Sequence, residues 1–163
     1  MIKTCVGDIT YAHTDVIVSI ANGIGVMGRG VAGEIREAGG EEIQNEARRI
    51  CKGKPKNAGE CYVTVPGNLS ANGVKYIYHA VTMKYPGGYT SLNIISKAVE
   101  SIFAQLLLDE VDSIAMTALG TLEYSSVANI MVKHAKKYDN IFEICFIDKN
   151  ESFIKEVNRI LKQ

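Results

Sequence analysis

A surplus of either charge is missing: 18 Lys and Arg residues stand against 18 Asp and Glu over 163 residues, with an isoelectric point near 6.8. Proteins that hold long nucleic acids through their phosphates usually carry a basic excess, so binding to long polyanions by charge alone is excluded. Disorder of the charged, apolar-poor kind is excluded as well, because 47% of the residues are hydrophobic. Cysteine is sparse and unpatterned. Cys5, Cys51, Cys61 and Cys145 show neither CxxC nor Cys/His ligand spacing, which argues against a disulfide framework and a zinc site; no metal and no cofactor are expected. The chain also lacks an N-terminal apolar h-region, and its apolar stretch around Ala104 to Leu108 falls far short of the ~20 residues that span a membrane. Reduced thiols, a cytoplasmic location and no membrane partner are the resulting expectations. No repeat, linker or low-complexity run divides the sequence, so residues 1–163 are read as one domain with one core.

Glycine is what the sequence has in excess. Of its 15 glycines, five fall between Gly23 and Gly33. Around that cluster, short β-branched runs alternate with longer segments of helical period. Strands are predicted at Ile2–Val6, Val16–Ile20, Glu60–Val65, Val74–Val81, Ser113–Ala118 and Ile141–Ile147, and helices at Gly30–Ala38, Glu41–Cys51, Ser91–Leu108, Ser125–Tyr138 and Glu151–Leu161. In the third helix Leu92, Ile95, Val99, Ile102, Phe103 and Leu106 recur at three- and four-residue steps behind Thr90 or Ser91 as a cap. Asn150 caps the last. The two middle strands are joined by Pro66-Gly67-Asn68 and Ala71-Asn72-Gly73 rather than by a helix, which predicts a mixed, mostly parallel sheet. The expected fold is α/β: a three-layer α/β/α sandwich.

The segment from Ala21 to Ile35 leaves a buried strand, passes through the glycines and enters a helix, the place where open α/β sheets dock ligands. Glycine lets backbone N–H groups approach an anion without a Cβ in the way, and the helix start supplies further free N–H groups. Hydrogen bonds to a charged group contribute about 1.5–3 kcal/mol each, so a few would hold a diphosphate without any net protein charge. The alternative is a glycine turn needed only for close packing. Gly23-x-Gly25-x-x-Gly28 and Gly28-x-Gly30-x-x-Gly33 both satisfy the dinucleotide fingerprint literally, yet the acid needed about 20 residues further on is replaced by the helical, basic Ala47-Arg48-Arg49-Ile50-Cys51-Lys52. A Rossmann oxidoreductase is thereby disfavoured. A P-loop fails because Gly28 is followed by Arg29-Gly30, without Lys-Ser/Thr.

Gly7-Asp8-Ile9-Thr10, Asp15 to Asn22, Gly28 to Ile35, Lys75 to Val81 and Ile114 to Thr121 together resemble the macro domain, the ADP-ribose-binding module, over nearly the whole chain. The resemblance implies an α/β/α sandwich around a mixed sheet, in agreement with the pattern above. It also implies roles. Asp8 would accept from the adenine amino group, with Ile9 offering its backbone N–H. Asn22 matches the last Asn of the family's NAAN motif and would orient the distal ribose, an amide being able to donate and accept; the first Asn of that motif is Ser19 here. Gly28, Arg29, Gly30, Val31 and Ala32 would wrap the diphosphate and ribose, and Gly120, Thr121, Leu122 and Tyr124 would form the distal side.

Two departures qualify this resemblance. Ala32 stands where many hydrolytic members carry an Asp that positions water, and Gly120-Thr121-Leu122-Glu123-Tyr124-Ser125 replaces a glycine-rich second loop. The string Gly25 to Ala32 is similar instead to the loop of the terminal ADP-ribose and DNA ADP-ribose glycohydrolases, in which a lysine after a Thr attacks the anomeric carbon. Thr82-Met83-Lys84 occupies that place. Lys84 as nucleophile, Asn22 as orienting group and Glu123 as acidic partner form the expected catalytic set; such an amine must lose its proton through desolvation or a neighbouring cation. His13, His79 and His134 are read as structural. Tyr85, Tyr89 and Tyr124 are candidates to cover adenine or ribose, and Phe146 or Ile147 to pack on adenine. The leading expectation is hydrolysis of ADP-ribosyl linkages on protein or nucleic acid, with a non-catalytic reader of ADP-ribose as the alternative.

Overall fold

The computed structural model describes residues 1–163 as six strands and five helices. The strands are β1 (Ile2–Val6), β2 (Val16–Asn22), β3 (Cys61–Thr64), β4 (Tyr76–Met83), β5 (Ser113–Met116) and β6 (Glu143–Asp148). The helices are α1 (Gly30–Gly39), α2 (Glu41–Cys51), α3 (Leu92–Leu108), α4 (Tyr124–Ala135) and α5 (Glu151–Leu161). They form one sheet in the order β1-β6-β5-β2-β4-β3, parallel except that β3 runs antiparallel to β4. The expected mixed sheet is present. Its order and its antiparallel edge differ from a doubly wound Rossmann sheet, and β2 is followed by two helices rather than by a crossover to the next nucleotide-binding strand.

Residue alternation in β2 builds the layers. Val16 and Val18 face α3, α4 and α5 in a core of 27 buried residues, while Ile17 and Ala21 face α1 and α2 in a second core of 16. A strand covered on both faces reads as a continuous apolar run, which is why Val16-Ile17-Val18 shows no polar alternation. On α3, Ile95, Val99, Ile102, Phe103 and Leu106 are fully buried, each contributing about 1.5–3 kcal/mol by leaving water. Ser91, not Thr90, caps this helix, its Oγ accepting from the Ile94 N–H at 3.2 Å. Asn150 caps α5 as expected, accepting from the Ser152 N–H at 2.9 Å.

The boundary differences have local causes. β2 runs on to Asn22 because Gly23 N–H still bonds Lys84 O at 2.7 Å and Met83 O at 3.1 Å, stitching the chain to the end of β4. The strand predicted from Val74 starts at Tyr76, and the one predicted to Ala118 ends at Met116. Residues 67–72 close a 3-10 turn finished by Gly73 at φ 89, a left-handed position that glycine adopts freely.

Candidate functional site

A cleft of about 550 Å³ opens at the carboxyl ends of β2, β4 and β5, with α1 on one side and the segments 82–90 and 119–122 on the other. The connection leaving β2 packs on one face of the sheet and those leaving β4 and β5 on the other, so the chain parts here.

The glycines of the loop divide into two kinds. A Cβ on Gly23 would lie 2.0 Å from Lys56 O, and one on Gly25 2.6 Å from Ala47 O, so these two exist for backbone packing. Gly28 meets nothing nearer than Val26 Cγ1 at 3.9 Å, and Gly30, at φ 59, meets nothing within 4 Å; these two face the open side. The loop is fastened from beneath by Gln44 of α2, which is 1% exposed. Its Oε1 accepts from the Met27 N–H at 2.8 Å and its Nε2 donates to Gly25 O at 2.5 Å. Arg36 adds bonds to Met27 O and Gln44 Oε1 at 3.3 Å and is itself held by Glu41 at 2.7 and 2.9 Å. Sequence reasoning passed over Gln44, although a glutamine sharing a buried helical stripe with Ile43, Ala47 and Cys51 is a signal that its amide is satisfied inside.

With the loop held this way, the backbone N–H groups of Gly28, Arg29, Gly30, Val31 and Ala32 have no acceptor in the protein, and no side chain caps α1. Opposite them, the N–H groups of Gly120, Thr121 and Leu122 are equally free. This second loop is tethered through Ala118, whose N–H donates to Asp148 Oδ2 at 3.0 Å. All eight of these residues line the one cleft. Donors converging from a helix start and a loop form an anion site of the kind that backbone dipoles create. Arg29 contributes the one charged side chain among the lining residues.

Asn22 lines the cleft, but its amide is already engaged. Oδ1 accepts from Ile24 N–H at 3.1 Å and Val26 N–H at 3.3 Å, while Nδ2 donates to Val26 O at 2.9 Å. It shapes the loop, and what it keeps for a ligand is one remaining N–H. Thr82, 1% exposed, and Thr90 also line the cleft, and neither hydroxyl has a hydrogen-bond partner. The sequence reading gave Thr82 no role and Thr90 only a capping one.

The expected catalytic trio is not brought together. Lys84 is not among the lining residues; its side chain is exposed, with Nζ 5.9 Å from the Tyr85 ring centroid, and Met83 occupies the lining position instead. Glu123 also lies outside the lining, exposed at the start of α4, where it accepts from Ser125 Oγ at 2.6 Å and Ser126 Oγ at 3.2 Å. Those hydroxyls hold its carboxyl below the usual range, the opposite of what a proton donor needs. Tyr124 opens α4 and packs edge-on against Phe153, its hydroxyl accepting from Asn150, rather than lining the cleft. Tyr85 and Tyr89 are exposed. Phe146 is wholly buried against α5, which removes it as a cover for adenine, whereas Ile147 lies on the α1 side beside Gly7.

Asp8 and Ile9 sit beyond the cleft. Asp8 Oδ1 accepts from the N–H and hydroxyl of Thr10 at 2.9 and 2.7 Å, and Oδ2 lies 3.6 Å from Lys149 Nζ. Burial raises its pKa, but the Thr10 bonds and Lys149 outweigh that and keep it ionised below the ordinary range. Lys149 in turn bonds Glu34 at 2.8 Å. The three histidines stay outside the cleft. His79 is fully buried, stacked on Tyr62 at 4.5 Å with Nε2 bonded to Thr64, and burial drives its pKa down to about 3. His134 bonds Ser96. No group of three His, Cys, Asp or Glu side chains gathers as a metal centre would require. No helix is long and apolar enough to cross a membrane.

The Macro domain family model matches residues 18–131, more than half of the chain. The chain is 30% identical over 166 residues to an uncharacterized protein of Aquifex aeolicus, covering 98% of this chain and 97% of that one. It is 33% identical over 122 residues to one of Aeropyrum pernix, covering 74% of this chain but only 60% of the relative's own length. An O-acetyl-ADP-ribose deacetylase of Citrobacter koseri is 26% identical over 171 residues, covering 96% and 93%. Among solved structures, the Trypanosoma brucei macrodomain in complex with ADP-ribose superposes with a TM-score of 0.80 at 22% identity, covering 98% of this chain and 68% of that one. The macrodomain of Mycobacterium tuberculosis DarG gives 0.80 at 23%, covering 90% and 97%.

Proposed function

The chain belongs to the macro domain family, and from that premise we propose that its cleft binds ADP-ribose, free or attached to a protein or nucleic acid. The observation that carries this reading is the pair of unpaired N–H sets, Gly28 to Ala32 and Gly120 to Leu122, on opposite walls of one cleft. Two phosphates between them would accept hydrogen bonds that the protein leaves unmade, at about 1.5–3 kcal/mol each. Asp8, an ionised acceptor beyond the α1 side, suits the adenine amino group, with the Ile9 N–H beside it. Titration calorimetry with ADP-ribose beside NAD tests the reading. Binding of ADP-ribose is expected; none at millimolar ligand would sink it.

A second reading, hydrolysis of ADP-ribosyl linkages at the terminal ribose, is favoured by the Citrobacter relative, an O-acetyl-ADP-ribose deacetylase. Here the residues at hand redirect the chemistry. With Met83 in the lining and Lys84 outside it, a lysine nucleophile would require the end of β4 to rearrange. With Lys84 outside the lining, this reading takes water as the nucleophile and Asn22, through the loop that it shapes, as the group that orients the ribose, while Ala32 supplies no aspartate to activate that water. Incubating wild type and Lys84→Ala with acetyl-ADP-ribose, ADP-ribosylated protein and ADP-ribosylated DNA separates the cases. Equal release by both proteins supports water attack, loss in the variant restores Lys84, and no release by either leaves a binding module.

A further inference from the structure

We propose that the hydroxyls of Thr82 and Thr90 recognise the terminal ribose, and so let the cleft distinguish ADP-ribose from ADP; the assignment rests on the ADP-ribose reading above. The argument begins in the sheet. Pairing of β2 with β4 proceeds in step to Ala21 and Val81 and then jumps to Asn22 and Met83, so Thr82 is the residue without a partner on β2. A bulge of this kind re-aims a side chain, and bulges recur next to active sites. Thr82 is 1% exposed, lines the cleft and has no hydrogen-bond partner for its hydroxyl. Thr90 reaches the same cleft from the start of α3. Because Ser91 caps that helix, the buried Thr90 hydroxyl is also left without a partner.

Two buried hydroxyls on one cleft, both unsatisfied, are costly in the empty protein and favour a ligand that completes them. The inventory of the cleft says which part of the ligand. The free N–H groups of the two loops and the Arg29 guanidinium only donate, which suits phosphate oxygens. Ribose hydroxyls each bring a proton that needs an acceptor. Asn22 Oδ1 already accepts two N–H groups. Among the lining side chains, the buried acceptors that remain are Thr82 Oγ1 and Thr90 Oγ1; Thr121 is exposed. Ile20, Met83 and Pro86 beside them offer apolar contact to the sugar carbons. ADP lacks the second ribose and makes no use of these hydroxyls.

The test is calorimetry of Thr82→Val, Thr90→Val and the double variant with ADP-ribose and with ADP, alongside thermal melts without ligand. Valine keeps the shape and suits a strand. Each single variant is expected to weaken ADP-ribose by about five- to tenfold, one net hydrogen bond, and to leave ADP within twofold. The unliganded melting temperature should hold or rise, since an unsatisfied buried hydroxyl is removed; a structural role would lower it. Thr82→Ser should restore the preference. Equal losses for ADP and ADP-ribose, or no loss for ADP-ribose, overturn the assignment. Wild type that binds neither nucleotide overturns the underlying reading together with it.

Discussion

Replacing Gln44 by Met keeps roughly the volume of the side chain and removes its hydrogen bonds, which isolates what the amide does. Two backbone groups lose their partner: the Met27 N–H at 2.8 Å and the Gly25 carbonyl at 2.5 Å. Both stand against a side chain that is 1% exposed, and a buried polar group left unpaired costs about 1–3 kcal/mol. The sum is about 2–6 kcal/mol, out of a stability of about 5–15 kcal/mol for a domain of ordinary size. At about 2–4 °C per kcal/mol for a chain of this length, the melting temperature should fall by roughly 5–20 °C. The fold should survive because both cores are untouched. The glycine loop should not keep its shape, since Arg36 also loses its contact with Gln44 Oε1, and ADP-ribose affinity should fall with it. Circular dichroism melts and calorimetry read both quantities. A melting temperature within about 1–2 °C of wild type and unchanged affinity would show that the loop is held by something other than this amide.

Three further outcomes are expected. Gly28→Ala should melt like wild type yet lose ADP-ribose in calorimetry, because its Cβ has room in the protein and enters the cleft, whereas Gly25→Ala, at φ 78 and 2.6 Å from Ala47 O, should lower the melting temperature; the opposite ordering would refute the division of the loop. His79 has a native pKa of about 3 against 6.5 when exposed, so the native state binds fewer protons between those values and stability falls as pH drops through that window. The loss should reach about 2 kcal/mol by pH 5 and be reduced in His79→Gln; denaturation at pH 7 and pH 5 with equal slopes in both proteins would refute it. Lys84→Ala should leave ADP-ribose affinity within twofold by calorimetry, since the ammonium stands exposed near Tyr85, and a hundredfold loss would place the lysine in the cleft.

Most of the fold was legible because its cores rest on local periodicity. The order of strands and helices, the mixed sheet and the caps Ser91 and Asn150 all follow from runs and spacings that a single sequence displays. The glycine loop was legible for the same reason, as an unusual density of one residue after a buried strand. What it could not reveal is which glycines serve packing and which serve a ligand. Gly23 and Gly25 owe their identity to Lys56 O and Ala47 O, contacts that the fold alone creates. Gln44 and Asn22 were obscured similarly: each bonds to backbone whose position is set by the turn it helps to form.

The reactive side of the site was less legible, because the expectation for Lys84 came from the resemblance of Thr82-Met83-Lys84 to a family loop, and a string of residues does not say which way its side chains stand. In a regular strand successive side chains point to opposite faces, so of Thr82, Met83 and Lys84 the first and third would share a face, and a lysine after Thr82-Met83 would be a fair candidate for the cleft. The register jump between Ala21 and Asn22 breaks that alternation. Thr82 and Met83 both line the cleft, as the consecutive Ile20, Ala21 and Asn22 at the end of β2 do, and the Lys84 side chain is exposed while its carbonyl receives the Gly23 N–H. A bulge is one extra residue on one strand, detectable only by comparing the two strands it separates, and the sequence of either strand read alone contains no sign of it. The extra residue at that jump is Thr82, whose buried hydroxyl lines the cleft without a partner, so the end of β4 presents a polar group beside the position where a nucleophile was expected, and the proposed ribose contact rests on that hydroxyl.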